Sequence, residues 1–173
     1  MIIRIARPAE HKAIGELRVG AYRALDLLPA GSGYGESLRG FGFGDGGGLL
    51  DDCTVLVALD ENDESILGTV TLESFGPDSE LAGDSTEADI RAFAVAAKAQ
   101  GRGTGRTLLL AVIEVAEKRG LRRLRLCTQP DMQTAQHLYA AAGFSRTPDL
   151  DWSPVPGVIL RAYELGLPRV PEP

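Results

Sequence analysis

Short apolar runs separated by polar turns dominate the N-terminal half of the chain. Residues 2–6 (IIRIA) alternate around Arg4, which predicts a first strand. Pro8 follows where a helix would start, because proline suits the first helical position. Apolar residues then recur at helical spacing, namely Ile14, Leu17, Ala21 and Leu25.

The segment after this helix has the composition of a loop, and two strand-like runs follow it. Residues 28–48 contain Pro29 and many glycines, so we predict a loop with a short helix near residues 36–39. Two apolar runs follow at residues 54–59 and 65–74. Asn62 and Asp63 between them are residue types that favour turns, so the two runs predict a β-hairpin.

Residues 89–126 have the pattern of a βαβ unit. Residues 89–95 (DIRAFAV) are strand-like, and regular alternation would place Asp89, Arg91, Phe93 and Val95 on one face. An amphipathic helix then ends at Gly120, and residues 122–127 alternate as a half-exposed strand does.

A further helix and strands complete the predicted order of elements. The helix is predicted between Pro130 and Gly143, and the last strand at residues 158–165. The buried stripe of that helix comprises Ala135, Leu138, Tyr139 and Ala142. Because a hairpin precedes the βαβ unit, we predict an α/β (α+β) fold with a mixed rather than a doubly wound sheet.

Composition narrows the class of protein. A chain of 173 residues with 44% hydrophobic and 24% charged residues suits a globular domain, and the net charge of −6 opposes non-specific nucleic-acid binding. No apolar run reaches membrane-span length and no signal-peptide pattern is present, so we expect a cytoplasmic protein without a membrane partner. The two cysteines, Cys53 and Cys127, are predicted to be buried thiols, and their spacing from the two histidines predicts no metal site.

The stretch QGRGTGR, residues 100–106, has two readings. It is either a tight strand-to-helix turn that needs glycine, or a cradle in which backbone amides and the helix N-terminus hold an anion. Three glycines exceed what one turn needs, which favours the anion site. A dinucleotide fingerprint is excluded by Arg106 and Leu108, and a Walker loop by the lack of Gly-Lys-Ser/Thr.

What remains is Gln-x-x-Gly-x-Gly, and with AQHLYAAAGF at residues 135–144 it resembles the GNAT superfamily of acyl-CoA-dependent N-acyltransferases, in particular a bacterial subgroup. The resemblance implies a mixed, mostly antiparallel central sheet of about seven strands flanked by about four helices. It also implies one domain over residues 1–167, and we expect the tail 168–173 to be disordered.

The resemblance implies acetyl-CoA as cofactor. The backbone of Phe93, Ala94 and Val95 would bind the pantetheine arm, and the 100–106 loop the pyrophosphate. The loop residues concerned are Gln100, Gly101, Arg102, Gly103, Thr104, Gly105 and Arg106. Arg102 and Arg106 are equally consistent with solvated surface side chains. Met132 stands where many relatives have an asparagine that contacts the CoA arm, and it can pack on the arm but cannot donate an amide hydrogen bond. Either Gln133, Gln136 or a water replaces that hydrogen bond, or cofactor affinity falls by about 1 kcal/mol, the typical net worth of one hydrogen bond.

Catalytic roles follow from the same resemblance. Tyr139 corresponds to the general acid that protonates the CoA thiolate, although core packing alone would also explain a tyrosine on this stripe. Asp89, or else Glu87, is the candidate base acting through water, and the alternative for Asp89 is a structural carboxylate paired with Arg91 or solvent. An acyl-enzyme on Cys127 is disfavoured, because no histidine lies beside it in sequence.

The acceptor is the least defined part of the prediction. We expect an amine, small-molecule or peptide, bound by Tyr22, Tyr34, Asp151 and Trp152. Trp152 is equally consistent with a core or dimer-interface anchor, and the resemblance makes a homodimer an expectation. The alternative function is a catalytically weak acyl-CoA-binding regulatory module of the same fold.

Overall fold

A computed structural model of the chain describes residues 1–31 and 33–168. Seven strands form one mixed sheet in the order β1-β2-β3-β4-β5-β7-β6. The strands are β1 (Ile2–Ile5), β2 (Cys53–Leu59), β3 (Ile66–Ser74), β4 (Glu87–Val95), β5 (Arg123–Thr128), β6 (Ser145–Arg146) and β7 (Arg161–Gly166). The α-helices of the described residues are α1 (His11–Ala24), α2 (Tyr34–Gly40), α3 (Thr104–Lys118) and α4 (Gln133–Ala141). The predicted fold class is therefore confirmed.

The strand directions confirm the predicted supersecondary units. β2 pairs with β3 as an antiparallel hairpin, and β4 pairs with β5 in parallel, as a βαβ crossover requires. The pairs β1–β2, β5–β7 and β6–β7 are antiparallel. The last strand begins at Arg161 rather than at residue 158, because Trp152 and Leu160 first form an isolated bridge.

The residues of the chain group into two compact units. Of the described residues, the first unit comprises 1–73 and 91–112, and the second comprises 74–90 and 113–168. The single domain predicted over residues 1–167 stays a prediction. The predicted disordered tail lies, from residue 169 on, outside the described residues. None of the helices in residues 1–31 and 33–168 is long and apolar enough to cross a membrane.

Burial in the first unit follows the apolar runs. Every residue of β2 is buried, as a continuous apolar run predicts for a strand covered on both faces. Its core cluster consists of Ala6, Ile14, Phe43, Val55, Val57 and Leu59. In the second unit β5 alternates as predicted, with Leu124 and Leu126 buried and Arg123 and Arg125 partly exposed.

Arg18 on α1 is a buried cation that the sequence pattern did not single out. Its side chain is 0% exposed, and it donates to the carbonyls of Leu38 (3.4 Å) and Phe41 (2.6 Å) and to the Thr71 hydroxyl (3.0 Å). The guanidinium carbon lies 5.9 Å from the centre of the Phe43 ring. Burial lowers its pKa to about 10, so the group remains charged at neutral pH. It connects α1 to the segment after α2.

The alternation expected for residues 89–95 is interrupted at Ala92. This residue has φ +48°, in the left-handed region that costs about 1–3 kcal/mol for a residue other than glycine. Arg91 donates to Glu73 (2.9 Å), and its guanidinium carbon lies 4.6 Å from the centre of the Phe41 ring. Arg91 is therefore paired with Glu73 and packs on Phe41.

Candidate active site

The glycine-rich loop connects β4 to α3. Gly101 and Gly103 have φ +73° and +80°, so two of the three glycines are required by the backbone conformation of the turn. A side chain placed on either would meet no atom within 4 Å, which leaves open space above the loop backbone. Thr104, 1% exposed, begins α3 and donates from its hydroxyl to the Ala99 carbonyl at 3.3 Å.

The loop conformation is consistent both with a tight strand-to-helix turn and with an anion-binding loop. The turn needs its glycines, and the same glycines leave the backbone open to a ligand. The first amides of a helix have no partner within the helix and carry its positive dipole end, which suits an anion. Residues 104–106 of α3 supply such amides.

The two arginines of the loop are exposed. Arg102 donates to Asp60 at 3.3 Å, with 52% of its side chain accessible, and so faces the turn between β2 and β3. Arg106 lies on the exposed surface of the first turn of α3. Gln100 is exposed as well.

Gly68 on β3 allows the end of β4 to approach closely. A Cβ at Gly68 would lie 2.9 Å from a Leu108 methyl, 3.0 Å from the Ala94 carbonyl oxygen and 3.3 Å from the Thr104 methyl. The Ala96 amide donates to the Leu67 carbonyl at 2.9 Å, which fixes the same end of the strand. Sequence analysis missed Gly68, although an isolated glycine within a strand signals close backbone approach.

Phe93, Ala94 and Val95 form the end of β4 that leads into the loop. Phe93 and Val95 are partly exposed, whereas Ala94 is buried with its carbonyl towards Gly68. The register of β4 with β5 comprises Glu87, Ala88 and Asp89 only. The three predicted cofactor-binding residues therefore lie beyond that register.

Tyr139 on α4 is 6% exposed and packs in an aromatic group of the second unit. Its ring centre lies 6.0 Å from that of Phe144 and 6.1 Å from that of Tyr163. Burial raises the pKa of the phenol well above its ordinary value, and the neighbouring Cys127 and Tyr163 act in the same direction. The phenol is therefore protonated throughout the neutral range, which is the form that a general acid needs.

Asp89 holds a loop in place with both carboxylate oxygens. It is 1% exposed and accepts the amides of Glu80, Leu81 and Ala82, each at 2.9 Å. Buried carboxylates need such donors, because an unsatisfied buried charge is costly. We call residues 80–82 the amide loop.

Glu87 lies in an ion-pair network of the second unit. It accepts the Gly83 amide at 2.7 Å and pairs with Arg123 at 3.2 Å and Arg125 at 3.0 Å. Arg125 also donates to the Leu81 carbonyl at 2.6 Å, so the network supports the amide loop from a second side.

Met132 is the N-cap residue of α4, and its sulfur accepts from the Thr128 hydroxyl at 3.3 Å. The Gln136 amide donates to the carbonyls of Gln129 (3.2 Å) and Pro130 (2.8 Å) and so stabilises the turn before the helix. The Gln136 amide is thus already used in the turn before α4. It is a poor replacement for the amide of the asparagine that many relatives carry at the position of Met132.

Asp151 and Trp152 lie before β7. Asp151 forms a bidentate pair with Arg146 (2.7 Å to each oxygen) and accepts the Ala162 amide at 2.8 Å. Trp152, 39% exposed, exchanges backbone hydrogen bonds with Leu160. This exposure argues against a core role for the indole and leaves its surface free for a ligand or a partner.

The Asp151 contacts predict acid-dependent stability. They lower the pKa of Asp151 to about 2, chiefly through the Arg146 guanidinium, so the stabilisation is complete above the ordinary carboxyl pKa and is lost as the pH falls from about 4 to about 2. We expect Asp151→Asn to lower the free energy of unfolding by about 1–2 kcal/mol at pH 7, because the pair is partly exposed. Denaturant unfolding of both proteins between pH 2 and pH 7 measures this difference, which should vanish at the acidic end. A difference that is constant with pH would contradict this assignment.

Tyr22 and Tyr34 approach each other where α1 ends and α2 begins. Their ring centres are 6.3 Å apart and the planes are tilted by 55°. A cavity of about 310 Å³ lies nearby in the first unit. It is lined by Arg23, Asp26, Leu28, Pro29, Ala30, Gly31, Gly33, Gly35 and Glu36.

The predicted site residues therefore fall into two sets, one in each unit. The first unit holds the glycine-rich loop, the end of β4 and the tyrosine pair of α1 and α2. The second unit brings Asp89 and Glu87 to one loop and holds Tyr139 and the Arg146–Asp151 pair. Sequence analysis missed Glu80, whose carboxylate accepts from the Cys127 thiol. A glutamate in a polar loop carries no sequence signal of such a contact.

Comparison with known proteins gives consistent results. The family model described as acetyltransferase (GNAT) family matches residues 33–144. A mycothiol acetyltransferase from Renibacterium salmoninarum is 32% identical over 97 residues, which cover 56% of this chain and 28% of that protein. The alignment thus spans only about a quarter of that relative's length.

Solved structures share the fold. A GNAT-family acetyltransferase from Staphylococcus aureus Mu50 superposes with a TM-score of 0.74 at 17% identity, over 96% of this chain and 99% of that one. An N-acetyltransferase from Thermoplasma acidophilum in complex with coenzyme A gives a TM-score of 0.68 at 16% identity, over 93% and 96% of the two chains.

Proposed function

This chain belongs to the acetyltransferase (GNAT) family, and we propose that it is an N-acetyltransferase that moves an acetyl group from acetyl-CoA to a primary amine. The observation that carries the proposal is the loop 100–106, where Gly101 and Gly103 adopt positive φ and leave the backbone open at the N-terminus of α3. The family's second motif, with Tyr139 on α4, supports it independently.

Acetyl-CoA would bind to backbone groups of the first unit. The amides from Gly101 to Arg106 would hold the pyrophosphate, since the helix terminus favours negative charge and a pyrophosphate carries two. The backbone of residues 93–95 would pair with the pantetheine arm. Arg102 and Arg106 would add long-range attraction from exposed positions, so their contribution should be sensitive to salt.

The transfer would proceed by direct attack of the uncharged amine on the thioester carbonyl. A tetrahedral oxyanion forms, and we assign its stabilisation to the Val95 amide. The carbon–sulfur bond then breaks, and Tyr139 donates a proton to the departing thiolate. Because burial raises the pKa of this phenol, the phenolate would be a strong base and would recover a proton at once.

The reaction also needs a group that removes a proton from the amine. Asp89 and Glu87 stay the candidates that the sequence predicted, each acting through water. Both are buried and hold backbone amides in the free protein, so either would have to exchange an existing hydrogen bond for one to water.

The acceptor is proposed to contact Tyr22, Tyr34, Asp151 and Trp152. Relatives of this fold are named for ribosomal-protein alanine and phosphinothricin as acceptors, so peptide N-termini and small amino acids both belong among the test substrates. The homodimer and the cytoplasmic location stay predictions. The alternative, an acyl-CoA-binding module with little activity, is favoured by one observation, the Met132 sulfur where many relatives offer an amide.

Calorimetry with acetyl-CoA, followed by an amine panel, tests the proposal. We expect binding with a dissociation constant of about 10 μM or below, and CoA release with at least one amine among kanamycin, spermidine, phosphinothricin and an alanine-N-terminal hexapeptide. Lack of binding would exclude both the transferase and the binding module. Binding without turnover of any amine would favour the module.

A further inference from the structure

The aromatic group around Tyr139 joins α4 to the last strand of the second unit. The Tyr139 ring centre lies 6.1 Å from that of Tyr163 on β7, at an interplanar angle of 53°, and 6.0 Å from that of Phe144, at 57°. Tilted pairs with centres about 4.5–7 Å apart are an arrangement that aromatic rings prefer. All three residues are at most 7% exposed. Two rings from outside α4 therefore pack beside the Tyr139 ring.

Tyr163 is held in place by both strands beside β7. Its register partners are Leu126 on β5 and Arg146 on β6. The Arg146 guanidinium carbon lies over the Tyr163 ring, 5.3 Å from its centre, and Asp151 accepts from this guanidinium with both oxygens, each at 2.7 Å. A planar guanidinium on an aromatic face is an attractive contact with a defined geometry. The Tyr163 ring therefore has little freedom to change its orientation.

Tyr139 itself lies close to the end of its helix. α4 ends at Ala141, and the last turn of a helix is where its backbone is least constrained. Gly143 follows with φ +94°, and a Cβ there would lie 3.4 Å from a Leu165 methyl on β7. The Phe144 amide then donates back to the Tyr139 carbonyl at 3.0 Å. The end of α4 is thus fixed by packing against β7 and by the turn that follows the helix.

The position of a phenol hydroxyl is determined by the orientation of its ring. The oxygen lies in the ring plane, so for a given backbone only the side-chain torsions of Tyr139 decide where the proton is presented. A displacement of a reacting group by about 1 Å can cost about 10²-fold in rate. A neighbour that fixes those torsions by packing therefore acts on the proton transfer without contacting the substrate.

From these contacts we infer that Tyr163 is a positioning residue for the general acid. Its ring holds the Tyr139 phenol in the orientation from which the hydroxyl protonates the departing thiolate. The inference rests on the proposed function, in which Tyr139 is that acid. The Tyr163 contacts that carry it are made by the ring, with the Tyr139 ring and with the Arg146 guanidinium. Phenylalanine at position 163 would keep both of them, whereas an aliphatic side chain would lose both.

A double-mutant cycle between positions 163 and 139 tests this role. The readout is kcat for CoA release from acetyl-CoA with the panel amine of highest kcat. We expect Tyr163→Leu to lower kcat about 10–50-fold and to change the KM for acetyl-CoA by less than about twofold, because the acid acts only in the transition state. Tyr163→Phe should stay within about threefold of wild type. In Tyr139→Phe, which has no hydroxyl to position, adding Tyr163→Leu should change the residual kcat by less than about twofold.

Two further variants separate positioning from a loss of stability. Leu124→Val removes buried volume from β5 in the same unit and should leave kcat within about twofold of wild type, at a temperature where denaturant unfolding shows the protein to be folded. If Tyr163→Leu does not fold, Tyr163→Met takes its place in the cycle, because the flexible methionine side chain fills irregular space without an aromatic plane. Its effect on kcat should likewise depend on the Tyr139 hydroxyl.

The outcomes distinguish the inference from the proposed function. If wild type releases no CoA with any amine of the panel, the proposed function fails and the inference fails with it. If wild type is active but Tyr163→Leu lowers kcat by the same factor with and without the Tyr139 hydroxyl, Tyr163 only packs and the inference alone is overturned. An unchanged kcat in Tyr163→Leu, or a Tyr163→Phe protein as slow as Tyr163→Leu, would overturn it as well.

Discussion

Tyr139→Phe is expected to lower kcat about 10²–10³-fold while acetyl-CoA affinity changes by less than about threefold. The hydroxyl is the only atom removed, and burial keeps it protonated at neutral pH because it raises the pKa of the phenol. The rate loss corresponds to about 3–4 kcal/mol of transition-state stabilisation. Steady-state kinetics with the best amine of the panel, together with calorimetry, measures both quantities.

Tyr163→Phe is the matched control for this prediction. Tyr163 is a buried phenol of the same aromatic group, with its ring centre 6.1 Å from that of Tyr139. Its loss should cost stability but little activity. Equal rate losses in the two variants would indicate that packing, and not proton donation, is affected. Unchanged kcat in Tyr139→Phe would remove the phenol from the mechanism.

Arg18→Met is expected to lower the free energy of unfolding by about 2–4 kcal/mol. Methionine fills much of the volume but leaves the Phe41 carbonyl and the Thr71 hydroxyl without the donor they have now. Each buried polar group left unsatisfied costs about 1–3 kcal/mol, and relief of the desolvated charge offsets part of that sum. Denaturant unfolding at pH 7 measures the change.

Arg23→Met provides the comparison for Arg18. Arg23 lies five residues further along the same helix and is exposed, so its replacement should change stability by less than about 0.5 kcal/mol. Similar losses in both variants would show that helix propensity is responsible. A stable Arg18→Met protein would show that the segment after α2 is held by other contacts.

The order and type of the elements were predictable from the sequence because they depend on local periodicity. The continuous apolar run of β2 and the alternation of β5 each predict a burial pattern that the structure confirms. Of the predicted buried stripe of α4, Tyr139 is buried, whereas Ala135, Leu138 and Ala142 are only partly buried. The start of α3 within the glycine stretch was predictable for the same reason, since glycines followed by an apolar helical face mark a strand-to-helix turn.

Side-chain contacts between distant segments were not predictable in this way. Arg18 reads as a polar residue on a helix face, yet it is fully buried because carbonyls some twenty residues away accept its hydrogen bonds. Asp89 reads as the first acid of a strand, yet its oxygens are taken by a loop seven to nine residues earlier. The break in the side-chain alternation of β4 at Ala92 could not be predicted from the sequence either, because alanine has no preference for a positive φ.

The sequence by itself determined the family, the glycine-rich turn before α3 and the place of Tyr139 on α4, since backbone conformation and helix spacing are encoded by glycines and apolar positions near each other in the chain. Only the tertiary structure decided which carboxylate is held by which partner. Glu80, Glu87 and Asp89 lie within ten residues and look alike in sequence. Glu87 pairs with Arg123 and Arg125, Asp89 accepts the amides of the amide loop, and Glu80 accepts from the Cys127 thiol.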